Sequence, residues 1–241
     1  MKKKAFVTGA DRGLGYCLTE VLLVNDYRVF AGRYMKDWPW LDRLKAKYGD
    51  DLILVDLDIS SSDSVEKAAR LIKSETDSLD LLINNAAILG PDENNLAIFE
   101  PLDFDRLLRV YNVNTLGALR VTKALIDLVL NSQDKLIVNI SSEAGSIERC
   151  WRTGEYGYCM SKAALNMQSA ILHNSIRDKG GQVLVVQPGW MQTYMHGMRN
   201  DKADFPPEKS AADIYELIRR KDEFKGNKPV FVDHLGNLWP W

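Results

Sequence analysis

Cysteine and histidine are scarce in this 241-residue chain: Cys17, Cys150 and Cys159, and His173, His196 and His234. Three thiols at irregular spacing argue against a disulfide framework, and no Cys/His grouping has zinc-site spacing, so no metal is expected. An excess of one charge is also missing. Lys and Arg number 31 and Asp and Glu 33, a formal charge of −2. That balance points away from nucleic acid and from an anionic membrane surface. Long apolar runs are absent too, and none approaches the ~20 residues of a membrane-spanning helix. After Met1-Lys2-Lys3-Lys4 the apolar run is only Ala5-Phe6-Val7, too short for a secretory core. A soluble cytoplasmic protein with reduced thiols is expected. No repeat, low-complexity tract or linker interrupts the chain, so one domain over residues 1–241 is expected.

What the chain has is a regular alternation of short apolar runs and amphipathic stretches. Strands are predicted at Ala5–Val7, Arg28–Ala31, Leu52–Val55, Leu79–Ile83, Leu136–Ile140, Val183–Val186 and Pro229–Val232. Helices are predicted after the first glycine turn, then at Asp37–Tyr48, Asp63–Ser74, Asp103–Val110, Asn114–Leu130, Gly157–Arg177 and Glu208–Arg220. Strands of this length alternating with helices imply βαβ units. The expected class is α/β: a doubly wound, mostly parallel seven-stranded sheet with helices on both faces.

Between the first strand and first helix lies Thr8-Gly9-Ala10-Asp11-Arg12-Gly13-Leu14-Gly15. Glycines let a backbone approach a pyrophosphate, and a helix N-terminus offers free N–H groups and a positive dipole end. The spacing is Gly-x-x-x-Gly-x-Gly rather than Gly-x-Gly-x-x-Gly. A plain turn is the competing reading; the position after a first strand favours a dinucleotide. An NAD enzyme needs an acid about 20 residues on, for the ribose hydroxyls. Here stands Arg33, with no acid until Asp37, and Arg12 can reach the same spot. Two arginines and no acid favour a 2′-phosphate over solvated surface positions, hence NADP(H) over NAD(H).

Tyr158 and Lys162 are four residues apart, on one face of a predicted helix. An ammonium beside a phenol favours the phenolate and lowers the tyrosine pKa, which suits proton transfer near neutrality. Alone, such a pair is often only a surface contact. Ser142, at the end of the apolar run Leu136–Ile140, is placed to hydrogen-bond whatever Tyr158 protonates. Ser141 is its weaker competitor.

Together these segments resemble the short-chain dehydrogenase/reductase family along essentially the whole chain, and so imply a Rossmann-like fold. The family pattern Thr-Gly-x-x-x-Gly-x-Gly is met at Thr8–Gly15, and Asn-Asn-Ala-Gly is present as Asn84-Asn85-Ala86-Ala87. The resemblance implies catalytic roles for Asn114, Ser142, Tyr158 and Lys162. It implies a cofactor site built from Gly9, Asp11, Arg12, Gly13, Leu14 and Gly15, with Arg33 beyond them. Asp58, Ile59, Asn85 and Ala86 would follow, and Tyr158 and Lys162 would also hold the cofactor. Pro188, Gly189, Met191 and Thr193 complete the set, with Thr193 toward the carboxamide. Within the family the chain is similar to carbonyl reductases of the sniffer and C-factor type, through Arg12–Tyr16, Met160–Met167, Pro188-Gly189-Trp190 and Leu238–Trp241.

Three departures stand out. Ala87 replaces the motif glycine. Asp11 sits where serine or asparagine is common and is expected to cap the helix rather than meet phosphate. The loop from Ser142 to Tyr158 is slightly long. By resemblance, NADPH would deliver hydride to a ketone or aldehyde. Tyr158 would be the general acid, Ser142 the oxyanion donor, and Asn114 would order a water leading to Lys162. The alternatives are a dinucleotide-binding regulatory protein of C-factor type with little turnover, and an oxidative NAD alcohol dehydrogenase. A homodimer or homotetramer is compatible with the family. Arg149, Trp151 and Arg152 are read as possible pocket walls or solvated loop residues. Trp190 and Met191 are expected to line the pocket, and the Trp239-Pro240-Trp241 tail to dock on its own domain or on a partner subunit.

Overall fold

The computed structural model describes residues 2–89, 97–195 and 197–241. His196 lies outside them.

The strands are short and apolar on both sides. In β5 (Leu136–Ile140) and β6 (Gln182–Gln187) every residue is buried. That pattern marks strands covered on two faces. β1 (Lys4–Val7), β2 (Arg28–Arg33), β3 (Leu52–Asp56), β4 (Leu81–Asn84) and β7 (Val230–Asp233) complete one seven-stranded sheet in the order β3-β2-β1-β4-β5-β6-β7. Every ladder is parallel.

Side chains on successive strand residues point to opposite faces, so the sheet builds two cores. Ala5, Val7, Val29, Ala31, Leu184 and Val186 meet α1 (Gly13–Val24), α2 (Trp40–Tyr48) and α7 (Pro207–Arg219) through Leu18, Leu22, Leu41 and Ile214. Phe6, Phe30, Leu82, Ile137, Val183 and Phe231 meet α3 (Ser62–Glu75), α5 (Ala118–Leu130) and α6 (Tyr156–Ile176) through Ile72, Leu125 and Ile176. α4 (Phe104–Tyr111) precedes α5.

Two predicted boundaries differ for physical reasons. α2 begins at Trp40, not Asp37, with Pro39 as its N-cap. The proline ring disfavours helical backbone in the residue before it, here Trp38. The helix expected from Asn114 opens instead as a π-helical turn, Asn112–Gly117, running from α4 into α5. Such insertions favour functional positions.

The tail docks on its own sheet. The Trp239 N–H donates to the Phe231 carbonyl at 2.8 Å, and the Ile147 N–H donates to the Trp241 carbonyl at 2.8 Å. The Arg149 guanidinium lies 4.3 Å from the Trp239 ring centre, which removes it from the pocket role considered above. Among the described residues no helix is long and apolar enough to cross a membrane.

Candidate active site

The strand order reverses beside β1, and a crevice at the carboxyl ends of the strands is where such sheets hold ligands. A cleft of about 1100 Å³ occupies that edge. Its first wall is the glycine turn. Gly9 and Gly13 have φ of 63° and 57°, a region that favours glycine. A Cβ on Gly15 would lie 2.1 Å from the Gly9 carbonyl oxygen. No side chain caps α1, whose first residues Gly13, Leu14 and Gly15 line the cleft. Open N–H groups at a helix start, with no Cβ in the way, fit a dinucleotide phosphate.

Thr8 and Asn85 brace this wall. The Thr8 hydroxyl accepts from the Asn85 and Ala86 N–H groups at 3.0 and 3.1 Å. The Asn85 side-chain amide donates to the Thr8 and Gly9 carbonyls at 2.9 and 3.1 Å. Ala87 has no positive φ, so its Cβ is accommodated in the turn.

Asp11 does not cap α1, contrary to expectation. Its carboxylate accepts from the Tyr34 and Met35 backbone N–H groups, both at 3.0 Å, and so ties the turn to the end of β2. Burial raises its pKa, and those two amides pull the other way. Arg33 is engaged by carboxylates. Its Nε and Nη2 donate to Asp56 at 3.2 and 3.1 Å, Nη1 donates to Asp42 at 3.4 Å, and the residue is not on the cleft wall. Arg12 is on that wall, its guanidinium 5.0 Å from the Trp38 ring centre. Asp58, Ile59, Asn85, Ala86, Pro188, Gly189, Met191 and Thr193 also line the cleft. Thr193 faces Gly13: a Cβ there would sit 3.6 Å from it.

The far end brings Ser142, Tyr158 and Lys162 together. The Ser142 hydroxyl, which accepts from the Ala144 N–H at 3.1 Å, lies near enough to the Tyr158 phenol to lower its pKa. Ser141 is excluded as its rival, because its hydroxyl donates to Asn166 Oδ1 at 2.6 Å and is buried. The π turn latches α6 between the tyrosine and the lysine. Asn114 Nδ2 donates to the Ser161 hydroxyl at 3.0 Å, and the Thr115 hydroxyl donates to the Ser161 carbonyl at 2.8 Å. Asn114 also exchanges hydrogen bonds with the Ile88 backbone at 2.8 and 2.9 Å. Its side chain is therefore engaged with Ile88, which lines the cleft, and with Ser161 behind it.

The acid–base balance of the pair also differs from the sequence reading. Burial pushes the Tyr158 phenol up to about 12, against the lowering hydrogen bond from Ser142. Burial pushes Lys162 down to about 7; its Nζ donates to the Ile140 carbonyl at 2.8 Å. In the chain alone, the phenol holds its proton and the lysine sheds one easily. An unfolded lysine keeps its proton to about pH 10.4. The folded chain therefore binds fewer protons than the unfolded chain between about pH 7 and pH 10. Stability from this group rises with pH across that window. A melting series without nucleotide should show the rise, and Lys162→Met should flatten it; equal slopes in both proteins would contradict the assignment.

A sequence model of the short chain dehydrogenase family matches residues 3–204. The chain belongs to that family. Human 17-beta-hydroxysteroid dehydrogenase type 6 is 31% identical over 198 residues, covering 81% of this chain and 59% of that protein. The chain thus spans little more than half of that relative. C-signal of Myxococcus xanthus is 30% identical over 166 residues, covering 69% of this chain and 95% of that protein. Among solved structures, the NADPH-bound carbonyl reductase from chicken fatty liver superposes with a TM-score of 0.86 at 27% identity, over 100% of this chain and 99% of that one. Carbonyl reductase Sniffer of D. melanogaster superposes with a TM-score of 0.88, covering 100% of both chains. Its 24% identity supports the fold.

In this short-chain dehydrogenase, several cleft residues escape sequence reasoning. Tyr34 and Met35 line the wall through the Asp11 tether, which has no sequence signal. Trp38, Trp40 and Tyr194 form a ring cluster at 5.3 to 5.8 Å spacings, resting the loop after Pro188-Gly189 on the start of α2. The Trp38-Pro39-Trp40 sequence was its only trace. Glu143, Arg152 and Glu155 line the cleft together with Tyr158. Trp151 and Trp190, both read from the sequence as candidates for the pocket, line the cleft and are 75% and 54% exposed. His173 is a packed core residue: it is buried, and its Nε2 meets the Gly226 carbonyl at 3.0 Å. Burial pushes the Cys159 thiol up to about 11, which leaves it unreactive. Among the described residues no His/Cys/Asp/Glu group could hold a metal.

Proposed function

We propose that this short-chain dehydrogenase reduces a ketone or aldehyde using NADPH. The observation that carries the reading is the Tyr158 phenol beside Ser142 and Lys162, at the end of a glycine-walled cleft. Bound NADPH would supply the hydride. Tyr158, holding its proton, gives it to the oxygen as charge develops there. Ser142 donates to the same oxygen and stabilises that charge. Lys162, near its own midpoint at neutral pH, can return a proton to Tyr158. The exposed rings of Trp151 and Trp190 support a bulky apolar carbonyl. A turnover screen with NADPH against ketones, aldehydes and quinones tests this; no oxidation of NADPH with any of them would end it.

Preference for the 2′-phosphate rests on Arg12, since Arg33 is paired with two carboxylates. A charge-assisted hydrogen bond contributes about 1.5–3 kcal/mol. Arg12→Ala should therefore cut kcat/KM for NADPH roughly 10- to 100-fold relative to NADH, and Arg33→Gln should leave the ratio close to wild type. If only the Arg33 variant changes the ratio, the roles are reversed.

The similarity to C-signal supports a second reading, dinucleotide binding for regulation. NADPH binding without turnover on any carbonyl would favour it.

A further inference from the structure

The loop between Ser142 and Tyr158 begins and ends on carboxylates that face one cation. Glu143 follows Ser142 directly, and Glu155 is the N-cap of α6, three residues before Tyr158. Arg152 joins them. Its Nη1 donates to Glu143 Oε2 at 3.0 Å, its Nη2 donates to Glu143 Oε1, and its Nε donates to Glu155 Oε2 at 2.7 Å. The arginine side chain is only 15% exposed, and its guanidinium lies 4.8 Å from the Trp151 ring centre. Exposed ion pairs contribute little, but a bidentate, half-buried fork fixes geometry. Glu155 also needs fixing: its φ of 59° and ψ of 34° are left-handed, a strained conformation for any residue with a Cβ.

We propose that Arg152 is a positioning residue: by tying Glu143 to Glu155 it sets the span between Ser142 and Tyr158, so that both reach one carbonyl oxygen. This rests on the reductase reading above. Each end of the clasp is covalently close to a reacting side chain, so releasing it lets Ser142 and the first turn of α6 move apart. The clasp also acts through charge. The groups facing the phenol are Ser142, Glu143, Arg152, Cys159 and, 5.6 Å from the ring centre, Lys162. Glu143 favours the protonated phenol, and Arg152 opposes it. Without the guanidinium, the Glu143 carboxylate acts unopposed and Tyr158 releases its proton at higher pH. Reduction uses the phenol, so the high-pH limb of its rate profile moves up.

The test uses the full chain, NADPH and the best carbonyl from the screen, with Tyr158→Phe as reference. Misplacement on the ångström scale can cost about 10²-fold, so Arg152→Ala should lose roughly 10- to 100-fold in kcat at pH 7. NADPH affinity should hold, and the high-pH limb should rise. Arg152→Lys keeps the charge without the fork. It should restore the limb and only part of kcat. Arg152→Ala with Glu143→Gln should restore the limb and none of kcat. Wild-type kcat and pH profile in Arg152→Ala, alongside a dead Tyr158→Phe, would overturn this inference alone. So would a large drop in melting temperature with parallel loss of NADPH affinity in all the Arg152 variants, which would make Arg152 a general prop. No turnover by the wild-type protein with any carbonyl would overturn the reductase reading and this inference with it.

Discussion

Tyr158→Phe should abolish most turnover while leaving NADPH bound. The substitution keeps the ring and removes only the hydroxyl, beside which Ser142 lies. A positioned proton donor contributes about 10²–10⁴-fold, and kcat should fall by that order. Burial keeps the wild-type phenol protonated up to about 12. The donor is then present at neutral pH, and the high-pH limb of the reductive rate should lie above that of an unperturbed tyrosine. Single-turnover decay of NADPH absorbance separates chemistry from binding. A variant retaining kcat within a few-fold would falsify Tyr158 as the acid.

Gly15→Ala should damage both the fold and the cradle. On helix preference alone, alanine is favoured by about 1 kcal/mol. Sterics oppose it. The new Cβ would lie 2.1 Å from the Gly9 carbonyl oxygen and 2.4 Å from Asn85 Nδ2. Neither can retreat freely. Asn85 Nδ2 already donates to that same carbonyl, and a Cβ on Gly9 would itself lie 2.8 Å from Ala86 Cα. Overpacking of this kind costs about 1–3 kcal/mol, so the clash should outweigh the preference. Gly226→Ala is the control, with nothing nearer than 3.9 Å and no positive φ. Melting with and without NADPH reads both effects, because a ligand stabilises only the state that binds it. The Gly15 variant should melt lower and lose the upward shift; an undiminished shift would show that the turn tolerates the methyl group.

The sheet was legible because its strands are apolar runs between turn signals, and the seven runs fall on the seven strands. The proposed reacting groups were legible because Tyr158 and Lys162 share a helix face and Ser142 follows an apolar run that forms β5. Side chains whose partners lie far along the chain were not. Asp11 has no local cue for the Tyr34 and Met35 amides. Arg33 reads as a free cation until β2 pairs with β3 and brings Asp56 beside it. The lowered phenol pKa expected from Lys162 assumed that proximity would dominate; burial of both groups dominates instead. Asn114 was singled out only through the family resemblance, and the π turn that aims it at Ile88 and Ser161 has no pattern in the residues themselves.

The Thr8 hydroxyl is held by amides 77 and 78 residues downstream. The nucleotide wall therefore cannot close until β4 has paired alongside β1, a non-local event whose loop-closure entropy slows assembly. A nascent chain that has not yet emerged past Asn85 lacks a brace for its glycine turn. Nucleotide should then act as a late stabiliser of a nearly finished sheet rather than as a nucleus for folding, slowing unfolding more than it speeds refolding.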